Sequence, residues 1–439
     1  MSEVQSMQRD MAMVRVSRRA AERLRAGHVW VYRADLEEGS EGVSPGGLVR
    51  VLDARESLLG CGTYSSASTI AVRLVVRDGS LDQEGFLGVV RERVRAALQL
   101  REELAPCSEV TDGRRLIFSE ADGLPGVVMD QYGPLVMLQL LTQGMAVDDV
   151  RGAISDEVKQ VFAEVKGCFS HVSQKSGDGE GITLWEREDG RTRELEELPP
   201  SPTEPLLVTG SAPRTETIFR LNGLGFHYDI GAGQKTGAFL DQRLNYQAAA
   251  DAVSRSVAAG GMAVGRALDV CTYQGGFALH LARVCGRVTG VDASRAALEV
   301  ADRNLQLNRE QVKGEVDWIE ADAFELLRAF ADAGERFGTV VLDPPAFAKT
   351  KRAVEGAMRG YKELNLRALT MMEAGGVLVT CSCSHHVGEP EFRAAVRAAA
   401  VDAGRTVQVL ESRGAAPDHP EVLTLPETRY LKCLVCRVG

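Results

Sequence analysis

An α/β chain follows from three patterns: a C-terminal Rossmann-like doubly wound sheet, an N-terminal β-rich module and a small α+β centre. Beyond Leu207, short apolar runs alternate with helical stretches, the βαβ rhythm of a mostly parallel sheet. Residues 13–80 run instead as short alternating strands punctuated by Gly, Pro and Ser. The apolar runs of the C-terminal half end in polar clusters: Asp269–Phe277, Asp292–Ser294, Asp322–Ala323, Asp343–Phe347 and Thr380–His386. Ligands of open α/β sheets bind beyond the carboxyl ends of the strands, so these distant clusters are expected to converge on one site.

The elements justify themselves in order. Arg18 to Arg25 predicts a short helix stopped by Gly27, and Leu48–Asp53, Gly60–Tyr64 and Thr69–Val76 read as strands of the first module, residues 1–82. Val89, Val90, Val94, Ala97, Leu98 and Leu104 recur at helical spacing and open a central domain, residues 83–205. Its strands are Gly126–Met129 and Leu135–Leu141, followed by a helix from Val147 to Phe162. Gly177 to Pro205, acidic and Pro-containing, reads as an exposed hairpin and linker. In residues 206–439, strands are expected at Arg266–Val270, Arg287–Val291, Val316–Glu320, Thr339–Leu342 and Gly376–Thr380. The expected helices are Asp241–Ala259, Phe277–Val284, Ala293–Asn308, Ala323–Ala333 and Tyr361–Met372. Tyr430–Val438 predicts a buried terminal strand.

Composition narrows the class. Hydrophobic content of 44% with 26% charged residues is that of a soluble globular protein, and no apolar run reaches the roughly 18 residues of a membrane helix. No signal peptide is evident, and nine irregularly spaced cysteines suit a reducing cytosol, so a cytoplasmic location is expected. The net charge of −10 argues against a general nucleic-acid binder. The charge is uneven, however: residues 1–33 carry seven Arg against Glu3, Asp10 and Glu22, while residues 178–204 carry nine acids against three Arg.

The chemistry lies at the strand ends. Gly275 and Gly276 let backbone approach a ligand, but the run Asp269, Cys271, Thr272, Gly275, Gly276, Phe277 is neither a dinucleotide fingerprint nor a phosphate loop. Asp292, about 20 residues on and beside Ala293 and Ser294, suits a ribose diol. Asp322, before Ala323, is placed to meet an adenine amino group, to cap the following helix, or both. Asp343-Pro344-Pro345-Ala-Phe347 is a stiff loop offering a carboxylate to a base edge. Cys381 and Cys383 are candidate thiol nucleophiles, and strand geometry alone does not separate them. Cys-x-Cys is too tight for a zinc knuckle and Cys433-x-x-Cys436 lies in an apolar strand, so no metal site is expected.

These residues resemble the rRNA large subunit methyltransferase I family, class I S-adenosylmethionine-dependent enzymes that make 5-methylcytosine in 23S rRNA. Gly27-His-Val-Trp-Val-Tyr-Arg33 is similar to the start of that family's RNA-binding PUA domain. Glu120–Gly126, Asp130–Gly133, Gly233-Gln-Lys-Thr-Gly237, Phe239–Arg243, Asp418-His-Pro420 and Tyr430-Leu-Lys432 resemble its later segments. The resemblance implies S-adenosylmethionine as cofactor, with Lys235 and Thr236 near its carboxylate or the RNA. It implies Cys383, in Ser382-Cys383-Ser384, as nucleophile. Asp343 is expected to assist catalysis by binding the cytosine edge and favouring protonation of its ring nitrogen, and Asp343 and Pro344 are also expected to adjoin the cofactor. Pro345, Phe347, Lys349 and Arg243 are expected at the substrate, which is 23S ribosomal RNA, free or protein-poor. A homodimer is the expected assembly. Two other readings are a nitrogen-directed rRNA methyltransferase using the Asp-Pro-Pro loop, which needs no thiol, and a non-catalytic RNA-binding protein, which needs no cofactor pocket.

Overall fold

Alternation of side chains makes the first sheet. In Leu48–Leu52, Val49 and Val51 are fully buried while Leu48, Arg50 and Leu52 are not. The computed structural model describes residues 11–77, 79, 81–164, 181–231, 237–258, 265–348 and 350–439. The N-terminal module holds β1 (Ala12–Val16), α1 (Arg18–Arg25), β2 (Trp30–Tyr32), β3 (Leu36–Glu38), β4 (Leu48–Leu52), β5 (Leu58–Tyr64) and β6 (Ile70–Val76). Its six-stranded sheet has the order β2-β6-β5-β4-β1-β3. Ser17 caps α1 by accepting from the Ala20 amide, and Ala20, Ala21 and Leu24 seat the helix in the module's core.

The central region contains α2 (Gln83–Leu104), β7 (Gly113–Phe118), β8 (Val127–Tyr132), β9 (Leu135–Leu140), α3 (Asp148–Glu164), β10 (Thr183–Glu186), α4 (Gly190–Glu196) and β11 (Leu207–Val208). The sheet order is β11-β10-β9-β8-β7. Arg101 is wholly buried on α2, where it donates to both oxygens of Asp122 (2.6 and 2.7 Å) and to the Asp418 carbonyl (3.1 Å). Pairing of this kind offsets the desolvation cost of a buried charge.

The acidic segment corrects the sequence reading. Residues 177–180 lie outside the described residues, but 183–186 form a sheet strand parallel to β9 rather than an exposed hairpin. Glu186 is buried against Arg151 (2.6 and 3.1 Å), and Glu196 takes Arg73 (2.8 Å) and Ser65 (2.7 Å). Charge composition registers the acids but not the arginines that neutralise them. The sheet also takes in Leu207–Val208, past the boundary expected at 205.

A second compact unit comprises mainly residues 216–417 and 429–439. It opens with an antiparallel hairpin that the βαβ rhythm did not reveal, β12 (Glu216–Leu221) and β13 (Leu224–Asp229). There follow α5 (Arg243–Ala258), β14 (Arg266–Val270), α6 (Gly276–Leu281), β15 (Arg287–Asp292), α7 (Arg295–Leu307), β16 (Glu315–Glu320), α8 (Ala323–Asp332) and β17 (Phe337–Leu342). The unit ends with α9 (Val354–Met371), β18 (Met372–Ser382), α10 (Glu389–Asp402), β19 (Val407–Arg413) and β20 (Lys432–Val438). The seven-stranded order is β16-β15-β14-β17-β18-β20-β19. The first five strands are parallel, and β20 runs antiparallel between β18 and β19. Helix α9 starts seven residues before the expected Tyr361, its opening turns disguised by Gly356 and Gly360, poor helix formers. All of β17 is buried, as a central parallel strand requires.

Gly290 on β15 lies under the Trp318 ring of β16, and a Cβ there would come within 2.4 Å of that ring. Gly290→Ala should therefore cost about 1–3 kcal/mol through overpacking. Denaturant unfolding of the purified variant checks it, and an unchanged midpoint would refute the close fit.

Candidate active site at the strand ends

Register builds the site. Val270 pairs with both Val291 and Leu342, Asp292 with Glu320, and Leu342 with Thr380. The residues that leave these five strands therefore emerge at one level. They enclose a cavity of about 500 Å³, closed on other sides by Phe239, Gln242, Tyr246 and Leu431.

The first loop is held from beneath. Asp269 is fully buried, and its Oδ2 accepts from the Thr272 hydroxyl (2.5 Å) and the Ala278 amide (2.9 Å). It braces the turn and does not line the cavity, against the expectation that it binds cofactor. The turn places Cys271 (φ 64°) and Tyr273 (φ 51°) in the left-handed region, a conformation costly for such residues. Gly275 (φ 86°) backs the cavity, with the Trp318 ring 3.1 Å from where a Cβ would stand. Gly276 lines the cavity and lies against Tyr246, where a Cβ would be 2.5 Å from the ring. Cys271, Thr272 and Phe277 also line it.

Asp292 lines the wall at the end of β15. Its Oδ2 accepts from the Tyr273 amide and its Oδ1 from the Ser294 amide, both at 2.9 Å. The carboxylate is thus fixed by backbone, and each oxygen keeps a second lone pair for a ligand. Ala293 and Ser294 adjoin it in the wall. Asp322 Oδ1 accepts from the amides of Phe324 (2.9 Å) and Glu325 (3.1 Å), capping α8, while the residue faces the cavity beside Ala323.

Asp343 stands across the cavity, and its Oδ1 accepts from the Gln242 side-chain amide (2.9 Å). Gln242 in turn accepts from Asn245 (2.6 Å), which fixes which end of the amide faces Asp343. Pro344, Pro345 and Phe347 line the same wall, and the Phe347 ring lies 4.8 Å from that of Tyr361.

The structure separates the two thiols. Cys381 is fully buried in β18 opposite Cys433 of β20, and burial holds its pKa well above the ordinary thiol value. Strand β18 ends at Ser382. Cys383 lies in the turn beyond it, half-buried, lining the cavity with its thiol 3.8 Å from the Pro344 carbonyl. Tyr361 pins that turn through Ser382 (2.9 Å) and Ser384 (2.8 Å), and Ser384 also accepts from the Ala348 amide (3.2 Å).

Arg243, expected at the substrate, is instead buried at the start of α5, with Nη1 donating to the Leu240 carbonyl (3.3 Å). Lys235, Thr236 and Lys349 lie outside the described residues. Gln242, Tyr246 and Tyr361 were not foreseen. Gln242 sat in the quoted Phe239–Arg243 segment, where the neighbouring cation was the more conspicuous residue.

Burial raises the pKa of Asp269 from 3.8 to about 7. The folded protein thus binds this proton more tightly than the unfolded chain. The resulting stabilisation is complete below about pH 4 and is lost as pH rises towards 7. Asp269→Asn should flatten the fall in stability over that window. Urea unfolding at a series of pH values reads this, and an unaltered slope would refute the raised value.

Residues 14–77 match the PUA-like domain family, and residues 188–436 match the S-adenosylmethionine-dependent methyltransferase family. The chain is 33% identical over 414 residues to ribosomal RNA large subunit methyltransferase I of Escherichia coli K12, covering 94% of this chain and 95% of the relative. Against the protein of that name from Shigella dysenteriae serotype 1 (strain Sd197) the identity is 33% over 412 residues, with the same coverage. A candidate methyltransferase solved in complex with SAH superposes with a TM-score of 0.74 at 17% identity, over 97% of this chain and 100% of that one. A candidate SAM-dependent methyltransferase from Streptococcus mutans gives 0.74 at 16% identity, with coverage of 97% and 100%. At such identities the structural likeness speaks to fold. The N-terminal module is PUA-like, the second unit is a methyltransferase domain that uses S-adenosylmethionine, and the chain belongs to the ribosomal RNA large subunit methyltransferase I family.

Proposed function

We propose that the protein methylates carbon 5 of a cytosine in 23S ribosomal RNA through a transient thioether to Cys383. The observation that supports this most is the position of the Cys383 thiol, in the cavity beside the Asp343-Pro344 loop. A nitrogen-directed methyltransferase has no use for a thiol there, and a binding protein has no use for the cavity.

The cavity fits the cofactor. Asp292 is pre-oriented for a ribose diol, Asp322 for an adenine amino group, and Gly276 lets backbone come close. Bound there, S-adenosylmethionine supplies an electrophilic methyl group. Carbon 5 of cytosine is a weak nucleophile. The Cys383 thiolate adds to carbon 6, and the new C–S bond pushes an electron pair towards carbon 5. Asp343 holds the base edge and favours a proton on the ring nitrogen as the adduct forms. Once carbon 5 is alkylated, loss of its proton restores the 5,6 double bond and expels the thiolate. The base must be unpaired or flipped out to reach the cavity.

RNA binding falls to the PUA-like module, in less basic form than its arginine count suggests. Arg15, Arg18, Arg23 and Arg25 pair with Glu38, Glu22, Asp35 and Asp53, and Arg33 donates to the carbonyls of Ser65 and Ser68. Among the described residues no helix is long and apolar enough to cross a membrane. A cytoplasmic homodimer is the assembly we propose.

Two outcomes follow. Asp292→Ala should weaken S-adenosylmethionine binding by roughly 1.5–3 kcal/mol, the worth of hydrogen bonds to a charged group. Calorimetry giving an unchanged Kd would remove Asp292 from the ribose. Cys383→Ala should abolish methylation with cofactor binding intact, whereas Cys381→Ala keeps substantial activity. RNA carrying 5-fluorocytosine cannot lose its substituent, so an adduct should accumulate that peptide mapping places on Cys383. An adduct on Cys381 would overturn the assignment, and full turnover in the double variant would overturn the covalent route.

A further inference from the structure

Lys432, the first residue of β20, pairs in register with Ser382 of β18. Its side chain is buried, and Nζ donates to the carbonyls of Ser384 (2.7 Å) and Tyr430 (2.8 Å). Ser384 directly follows Cys383, so the ammonium is clamped onto the short turn that carries the thiol. Among the described residues no carboxylate lies within ion-pair distance of it. The charged groups that face it are Cys383, Glu391 of α10 and Arg429, and Arg429 is already paired with Glu389 (2.6 Å). A buried ammonium without a carboxylate carries a desolvation cost, and that cost is offset where a transient anion is to be stabilised.

We propose that Lys432 is the cation that stabilises the thiolate of Cys383. The thiol proton leaves to solvent and Lys432 keeps its own, so the product is an ammonium–thiolate pair. Lys432 never touches the base and acts through Cys383. Its relevance to turnover rests on Cys383 being the nucleophile, but the ion pair itself does not. Burial lowers the pKa of Lys432 from 10.5 to about 8, and the neighbouring Cys383 opposes that fall. The ammonium is therefore retained at neutral pH and is lost above about 8.

The test is alkylation of the full-length protein by iodoacetamide across a pH series, with carboxamidomethylation of Cys383 quantified by peptide mass spectrometry. Lys432→Met should move the Cys383 profile up by about one pH unit, an approximately tenfold slower reaction at neutral pH. Lys432→Arg should keep most of the wild-type profile. A Lys432→Met profile that superimposes on wild type, in protein that still binds S-adenosylmethionine, overturns the proposal. Should Lys432→Met fail to fold, the linkage is read from the other side. Removing the thiolate with Cys383→Ser should lower the Lys432 pKa, followed by NMR after reductive ¹³C-methylation, and an unmoved titration overturns the pair. A shifted alkylation profile together with full turnover of Cys383→Ser would keep the ion pair and discard the covalent reading.

Discussion

In-register pairing of five parallel strands is the constraint on which the site depends. Hydrogen bonding from β16 through β15, β14 and β17 to β18 sets the level at which each strand stops. Cys271, Asp292, Asp322, Asp343 and Cys383 then meet around one cavity although the chain separates them widely. The apolar bodies of the strands maintain that register: Leu268, Val270, Val291, Val340, Leu342 and Leu378 are all buried in one core. A one-residue slip in any strand would turn its inward side chains over and draw its terminal residue out of the cavity wall.

The same constraint distinguishes two thiols two residues apart. Were β18 to continue, Cys381 and Cys383 would point to the same face. Instead pairing with β20 runs only to Ser382, and the chain turns. Cys381 stays in the sheet opposite Cys433, and Cys383 is turned into the cavity. Tyr361 fixes the turn because its hydroxyl joins the serines on either side of Cys383.

What was legible in the chain follows from this logic. Strand ends are written locally, as an apolar run that breaks at a polar cluster, so the pattern brings Asp292, Asp322 and Asp343 to the cavity wall, whereas Cys383 is told from Cys381 only by the family resemblance. Asp269 was assigned to the wrong side of its loop, because a sequence shows that an acid ends a strand but not whether it faces ligand or backbone. Arg243 failed similarly, its charge suggesting RNA where burial at a helix start prevails. Gln242 was passed over since an uncharged amide reveals its role only through its partners. The acidic stretch misled most: Glu186 and Glu196 are structural acids whose arginines, Arg151 and Arg73, lie far away in sequence.

The electrostatics of the cavity pose a problem that its own thiols expose. Asp292, Asp322 and Asp343 line it and Asp269 lies just behind, a field well suited to a cationic sulfonium and hostile to a thiolate. Cys271 displays the hostility. Burial first, then the four carboxylates, push its pKa far above the ordinary thiol range. A nucleophile in such surroundings needs compensating positive charge at close range. Bound cofactor would contribute one charge from the cavity side, and Lys432, still an ammonium at neutral pH, contributes another from the sheet side, anchored to the Ser384 carbonyl next to Cys383. Among the described residues no lysine or arginine is hydrogen-bonded to the loop that carries Cys271, and its thiol is held in the protonated form although it shares the cavity. On the covalent route we propose, two features single out Cys383: the turn after β18 that brings it to the cavity, and the β20 lysine held against that turn.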